Sequence, residues 1–167
     1  DKYLGYDDHD CLLIAASDRG VRLSDRQIAE LTAAKTRLVQ NMFRESIQAL
    51  PGAVELIRSL AAASVPLAIC SGALREEIVL ASRTVGVLDC FQVIVPAEDV
   101  ARGKPDPEGY LAARARLAEA LGRDIRPPHC VVIEDSPAGI QAARAAGMKT
   151  LAVATSYPRS ELAQADR

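Results

Sequence analysis

The amino-acid sequence predicts an α/β fold: a parallel sheet with helices on both faces, preceded by a small all-helical unit. Three observations carry this. From Gly52 onward, short apolar runs alternate with helix-like patterns, as expected of repeated βα units whose strands are buried on both sides. The run Val131-Val132-Ile133 ends in two adjacent carboxylates, Glu134 and Asp135, and a helix start follows at once. The first fifty residues hold helical patterns and no strand candidate.

In chain order, Leu12 to Ala16 suggests a helix ended by Gly20. Ser24-Asp25-Arg26-Gln27 has the form of a capping box, and Ile28, Leu31, Leu38 and Met42 continue it at helical spacing. This helical unit, residues 1–48, joins the α/β part, residues 49–167, near Leu50-Pro51-Gly52. Val54, Ile57, Leu60 and Ala61 mark a helix that must stop before Pro66. Leu67 to Cys70 reads as a short buried strand. Ile78, Val79 and Ser82 lie on the next helix, with Gly86 as its stop. Phe91 to Val95 is a strand, and residues from about Pro107 to Leu121 form an Ala-rich helix closed by Gly122. Strand Cys130–Ile133, helix Pro137–Ala146, Gly147 and strand Thr150–Ala154 complete the series. Ser136 is a good N-cap, and Pro137 suits the first helical position.

A chain of 167 residues fits one domain, or one with a small insertion. Apolar residues make up 49% and aromatics only 4%, with no Trp, so Ala, Leu, Ile and Val must fill the core. The net charge of −2 gives no reason to expect a nucleic-acid or membrane-surface partner. No apolar run is long enough to span a bilayer, and the first residues do not resemble a signal peptide. Cys11, Cys70, Cys90 and Cys130 are widely spaced, and Cys70 and Cys130 sit in strand-like runs where a thiol acts as a small hydrophobe. A reducing, cytoplasmic setting follows as the expectation. His9 and His129 are the only histidines, so a multi-His metal site is excluded.

Three strand ends offer chemistry. Glu134 and Asp135 have no neighbouring base, and paired carboxylates supply the oxygen ligands that a hard cation such as Mg²⁺ takes; the alternative is an acid pair that only complements a helix dipole. Ser71-Gly72 places a hydroxyl at a strand terminus, where free backbone N–H groups can hold a phosphate; alone it is also a common turn. In Gly103-Lys104-Pro105-Asp106-Pro107 two prolines stiffen the backbone, so the lysine is aimed. A fixed ammonium beside a carboxylate pair suits a site that binds phosphate and cation together.

With these three in order, each after a strand, the chain resembles the haloacid dehalogenase (HAD) superfamily of Rossmann-like hydrolases. The likeness is to the branch of phosphatases and phosphomutases with a small helical cap, which includes β-phosphoglucomutase-like and phosphoglycolate-phosphatase-like proteins. Gly103 to Pro107 and Glu134-Asp135-Ser136-Pro137-Ala138-Gly139-Ile140 carry it. The resemblance implies that Ser71, with Gly72, binds the transferring phosphoryl group and that Lys104 neutralises it. It implies that Asp135 binds Mg²⁺ directly and Glu134 directly or through water. Lys35 matches a cap lysine that contacts substrate in related proteins; the alternative is a solvated lysine on the helix face opposite Leu31 and Leu38.

The family's nucleophile lies in a D-x-D-G-[TV] motif on the first, central strand. Asp8-His9-Asp10 has the spacing, but no apolar strand precedes it and Cys11-Leu12 follow, so these acids read as first-turn helix charges. Aligned with the family, Asp1 already lies inside the cap. Removing a central strand would leave backbone groups unpaired on both neighbours. The expectation is therefore that the first core strand lies upstream of these residues, and that the stretch ending at Asp166 leads into one more strand.

Two departures separate hydrolysis from mutase chemistry. Where mutases of the β-phosphoglucomutase type carry a cap Arg shortly after a Gly, counting from Gly5 gives Asp8. Where they carry a Lys after the strand-end hydroxyl, this chain has Leu74. Both favour an Mg²⁺-dependent phosphatase of a small phosphorylated metabolite. A phosphomutase, and a non-catalytic binding module of the same fold, are the alternatives.

Overall fold

The computed structural model describes residues 8–167, with Arg44 described by its backbone alone. Helix α1 (Asp8–Ser17) and the long α2 (Asp25–Ser46) form the N-terminal helical pair. The capping box holds: Ser24 Oγ accepts from Gln27 N at 3.4 Å, and Gln27 Oε1 accepts from Ser24 N at 2.9 Å. The series continues through α3 (Ala53–Ala62), β1 (Ala68–Cys70), α4 (Arg75–Thr84), β2 (Val93–Val95), α5 (Glu108–Leu121), β3 (Val131–Glu134), α6 (Pro137–Ala145) and β4 (Lys149–Ala152). Gly122 closes α5 at a φ of 61°, a left-handed conformation that a residue without Cβ adopts freely.

All strand pairing is parallel, in the register Ala68↔Val93 through Cys70↔Val95 and Val131↔Lys149 through Glu134↔Ala152. The pairs form two ribbons, β1–β2 and β3–β4, and among the described residues no strand lies between them. Helix α5 joins the ribbons. Its Ala113 and Leu117 pack with Val93 and Val95, whereas Tyr110 packs with Val132, Ala142, Ala143, Ala146 and Met148. Gly109 lets α5 approach β1 closely, because a Cβ there would lie 2.8 Å from Cys70 Sγ.

The strands are shorter or shifted relative to the sequence pattern. Before β2, the Gln92 side-chain carbonyl accepts from Leu67 N at 2.8 Å, so a side chain replaces a ladder bond. After β4, Val153 N still donates to Glu134 O at 2.8 Å, but Thr155 N then turns back to Val153 O. Arg167 lies beside β4, exchanging backbone hydrogen bonds with Thr150 and Ala152.

Alternation along β3 buries Val132 and Glu134 and leaves Val131 and Ile133 exposed, joined on that face by Leu151 of β4. Helix α2 departs from its apolar pattern. Ile28 is buried, yet Leu31, Leu38 and Met42 face solvent. The helix instead turns Lys35 and Thr36 inward, because two carboxylates wait for the ammonium, as described below.

Candidate functional site

The turns at the carboxyl ends of β1 and β3 and the loop after β2 that carries Lys104 form the site, at the end where α/β folds place ligands. Glu134 is the last residue of β3, and Ser136 opens α6 as its N-cap, accepting from Gly139 N at 3.0 Å. This tight strand-to-helix turn folds the Glu134 carboxylate back over its own backbone. Oε2 accepts from Asp135 N at 3.0 Å, Ser136 N at 3.1 Å and Ser136 Oγ at 2.9 Å. Oε1 accepts from Tyr110 Oη at 2.7 Å and from Lys104 Nζ in a short ion pair. Five donors thus meet two oxygens. Both Glu134 and Lys104 side chains are largely buried, at 6% and 14% exposure, and an ion pair so placed holds only when such hydrogen bonds satisfy its charges.

Burial pushes the Glu134 carboxyl up, but the Lys104 ammonium and the Tyr110 and Ser136 hydrogen bonds outweigh it and hold the carboxyl below its ordinary range. Burial, reinforced by the Glu134 charge, raises the Tyr110 phenol far above its ordinary range, so it stays a neutral donor. Burial likewise raises the Cys70 thiol, in keeping with a packing role for that cysteine.

The loop that carries Lys104 has a cis Lys104–Pro105 peptide and a turn in which Asp106 Oδ1 accepts from Glu108 N at 2.9 Å. Lys104 Nζ also donates to Cys70 O at 3.4 Å, which ties it to the end of β1. Ser71 follows there: its N donates to Val95 O at 3.0 Å, and its Oγ accepts from Ala73 N at 3.1 Å. Ser71, Gly72, Lys104 and Tyr110 line one small cleft. Ser71, Gly72, Lys104 and Glu134 are therefore gathered in one place.

Asp135 is half-buried, and its Oδ2 accepts from Thr155 Oγ1 at 3.2 Å and from Ser156 Oγ in a short hydrogen bond. A carboxylate ringed by hydroxyls is a hard-oxygen donor set of the kind Mg²⁺ takes. Among the described residues no group of three metal-ligating side chains forms. The donors fit one side of a cation site, with Asp135 the better placed member, since five donors already occupy Glu134.

Lys35 lies elsewhere than expected of a solvated side chain. Its Nζ donates to Glu77 Oε1 and Oε2, each at 3.0 Å, and sits 3.1 Å from Asp8 Oδ2. Glu77, on α4, is 2% exposed. Helix α2 is thus clasped to α4 and α1, beside a cleft of about 460 Å³ that Lys35 and Ser71 both line. Asp8 is drawn to Lys35; Gly5, from which its position was counted, lies outside the described residues. Leu74 is the N-cap residue of α4.

Sequence reasoning missed Tyr110, Glu77, Thr155 and Ser156, and the close approach of Gly139 to Glu134. Tyr110 carries one signal, as the only aromatic in an Ala-rich helix. Glu77 carries another, three residues into α4, where it accepts from Leu74 N at 3.3 Å as a capping acid does. Contact with Asp135 by Thr155 and Ser156 depends on the turn after β4 and has no local signal.

The family model described as haloacid dehalogenase-like hydrolase matches residues 8–147. The chain is 39% identical over 115 residues to validoxylamine A 7'-phosphate phosphatase of Streptomyces hygroscopicus subsp. limoneus, covering 69% of this chain and 51% of that protein. It is 38% identical over 134 residues to hexitol phosphatase A of Escherichia coli (strain K12), covering 78% and 58%. Among solved structures it superposes with a mutant CbbY from Rhodobacter sphaeroides in complex with xylulose-(1,5)bisphosphate. That match has a TM-score of 0.84 and 27% identity, covering 99% of this chain and 74% of that one. The chain spans about half of these curated relatives' length.

Proposed function

The chain belongs to the haloacid dehalogenase-like hydrolases, and from that premise we propose that the protein is an Mg²⁺-dependent phosphatase of a small phosphorylated metabolite, a sugar or polyol phosphate. The observation that carries the reading is the convergence of Lys104, the Ser71-Gly72 turn and the Glu134-Asp135 turn at the ends of β1 and β3. The named activities of the relatives, a validoxylamine phosphate phosphatase and a hexitol phosphatase, support the substrate class.

In this reading Ser71 Oγ and the backbone N–H of Gly72 orient the transferring phosphoryl group. Lys104 balances its negative charge, as a preorganised ammonium in a site that excludes water does. Asp135 would hold Mg²⁺, with the Thr155 and Ser156 hydroxyls beside it; bound there, the ion supplies further charge neutralisation. The attacking group is a carboxylate, which displaces the ester's alcohol from phosphorus to form an aspartyl-phosphate, and water then cleaves that intermediate to carboxylate and inorganic phosphate. Residues 1–167 contain no D-x-D-G motif, and this carboxylate is expected from outside them. The N-terminal unit, residues 1–48, acts as a cap on the core, residues 49–167, with Lys35 facing the substrate cleft. The setting is cytoplasmic.

Phosphatase is favoured over mutase chemistry by Asp8 and Leu74, each counted to a place where mutases of the β-phosphoglucomutase type carry a basic residue. The test is an assay of the full-length protein against hexitol phosphates, sugar phosphates and phosphoglycolate, with and without Mg²⁺. Metal-dependent release of phosphate is the expected result. Turnover that ignores metal, or none on any phosphate ester, would count against it, and the latter outcome would favour a binding module.

A further inference from the structure

Tyr110 stands out among the buried groups for which the proposed chemistry has no use. It is 7% exposed, its hydroxyl donates to Glu134 Oε1 at 2.7 Å, and its ring centroid lies 5.1 Å from Lys104 Nζ. One side chain therefore touches both members of the buried ion pair through two different interactions, a hydrogen bond and a cation–π contact. We infer that Tyr110 is a positioning residue, which shares Glu134 Oε1 with the Lys104 ammonium and so limits the carboxylate's hold on it, leaving the ammonium available to the phosphoryl corner. The inference rests on the reading of Lys104 as the phosphate-binding cation.

The geometry leaves the carboxylate little freedom. Oε2 is pinned by two backbone amides and the Ser136 hydroxyl, and Gly139 lies so close that a Cβ there would stand 2.0 Å from Glu134 Cδ. Oε1 accepts from both α5 and the Lys104 loop. While the phenol donates to it, the ammonium is one of two donors and is also held by Cys70 O at the edge of the Ser71 turn. Without the phenol, Lys104 alone must compensate Oε1, and a stronger pull on the ammonium takes it from the corner where phosphate binds. Helix α5 fixes the phenol in turn, since Gly109 allows the close approach to β1 and Tyr110 packs among Val132, Ala142 and Met148.

Tyr110→Phe removes only the hydroxyl. Calorimetry with inorganic phosphate, in the absence of metal, should show binding weakened about tenfold, a coupling of the size that contacting groups show. Assays with a phosphate ester should show KM rising in step with the lost phosphate affinity, and the thermal midpoint should fall by a few degrees because the buried Glu134 carboxylate loses one donor. Tyr110→Leu, which also removes the ring, should weaken phosphate further. A Tyr110→Phe protein that binds phosphate within twofold of wild type would overturn the inference, as would one that no longer folds or a wild type that binds no phosphate. Weakened phosphate binding in a protein that hydrolyses no ester would uphold the inference while the phosphatase reading fails.

Discussion

Glu134 is the residue on which the local chemistry of this molecule depends, because its charge is buried and five donors meet it. Gly139 makes this possible: a Cβ at that position would stand 2.0 to 2.3 Å from the carboxylate atoms. Gly139→Ala should therefore displace Glu134 and cost about 1–3 kcal/mol, read by urea denaturation, although alanine favours helix. Lys104→Met should cost about 3–5 kcal/mol at neutral pH, since it leaves a buried carboxylate without its cation. The pH dependence has a definite sign. Glu134 in the folded protein titrates below its ordinary range, so its contribution is present above the unfolded glutamate pKa and is lost as pH falls through the depressed folded value. The gap between Lys104→Met and wild type should narrow below about pH 4, and parallel urea titrations from pH 6 to pH 3 would reveal a constant gap if the pair carried no such charge. Lys104 and Glu134 were legible as candidate site residues, though not as an ion pair, because a stiffened lysine and a strand-end acid are local patterns. Tyr110 and Gly139 were not, because their roles come from contacts across α5, β3 and α6.

At the level of elements, α2 shows how charge overrides an apolar pattern. Ile28, Leu31, Leu38 and Met42 share helical spacing, yet the last three face solvent while Lys35 turns to Glu77 and Asp8. Glu77 is 2% exposed, so the helix must bring it a cation or leave a buried charge unpaired. Lys35→Met should destabilise more than Glu77→Gln, and the double variant less than the sum of the two. A double-mutant cycle should return a coupling of about 1–3 kcal/mol; a coupling near zero would mean that α2 is held to α4 by apolar contact alone. The helix boundaries themselves followed their sequence signals closely, Ser24 and Gln27 opening α2 and Gly122 closing α5, because caps are interactions between residues three or four apart.

Across the whole molecule, the two parallel ribbons are joined by α5 and by the Lys104 bridge from Cys70 O to Glu134. One face of β3–β4 packs beneath α5 and α6, and the other presents Val131, Ile133 and Leu151 at 62%, 47% and 37% exposure. An apolar surface of this kind binds hydrophobic dyes. Ile133→Ser in the chain of residues 1–167 should reduce dye fluorescence while changing the unfolding free energy by about 0.5 kcal/mol or less; a large destabilisation would mean that this face is covered. By itself the sequence determined the βα alternation, the helix caps and the order of the Ser71, Lys104 and Glu134-Asp135 turns, because each is written in residues close together along the chain. Only the tertiary structure decided that Tyr110 and Lys104 share one Glu134 oxygen, that Thr155 and Ser156 reach Asp135, and that Lys35 is drawn to buried Glu77. Those outcomes depend on which elements lie side by side, and on where a buried charge finds its partner.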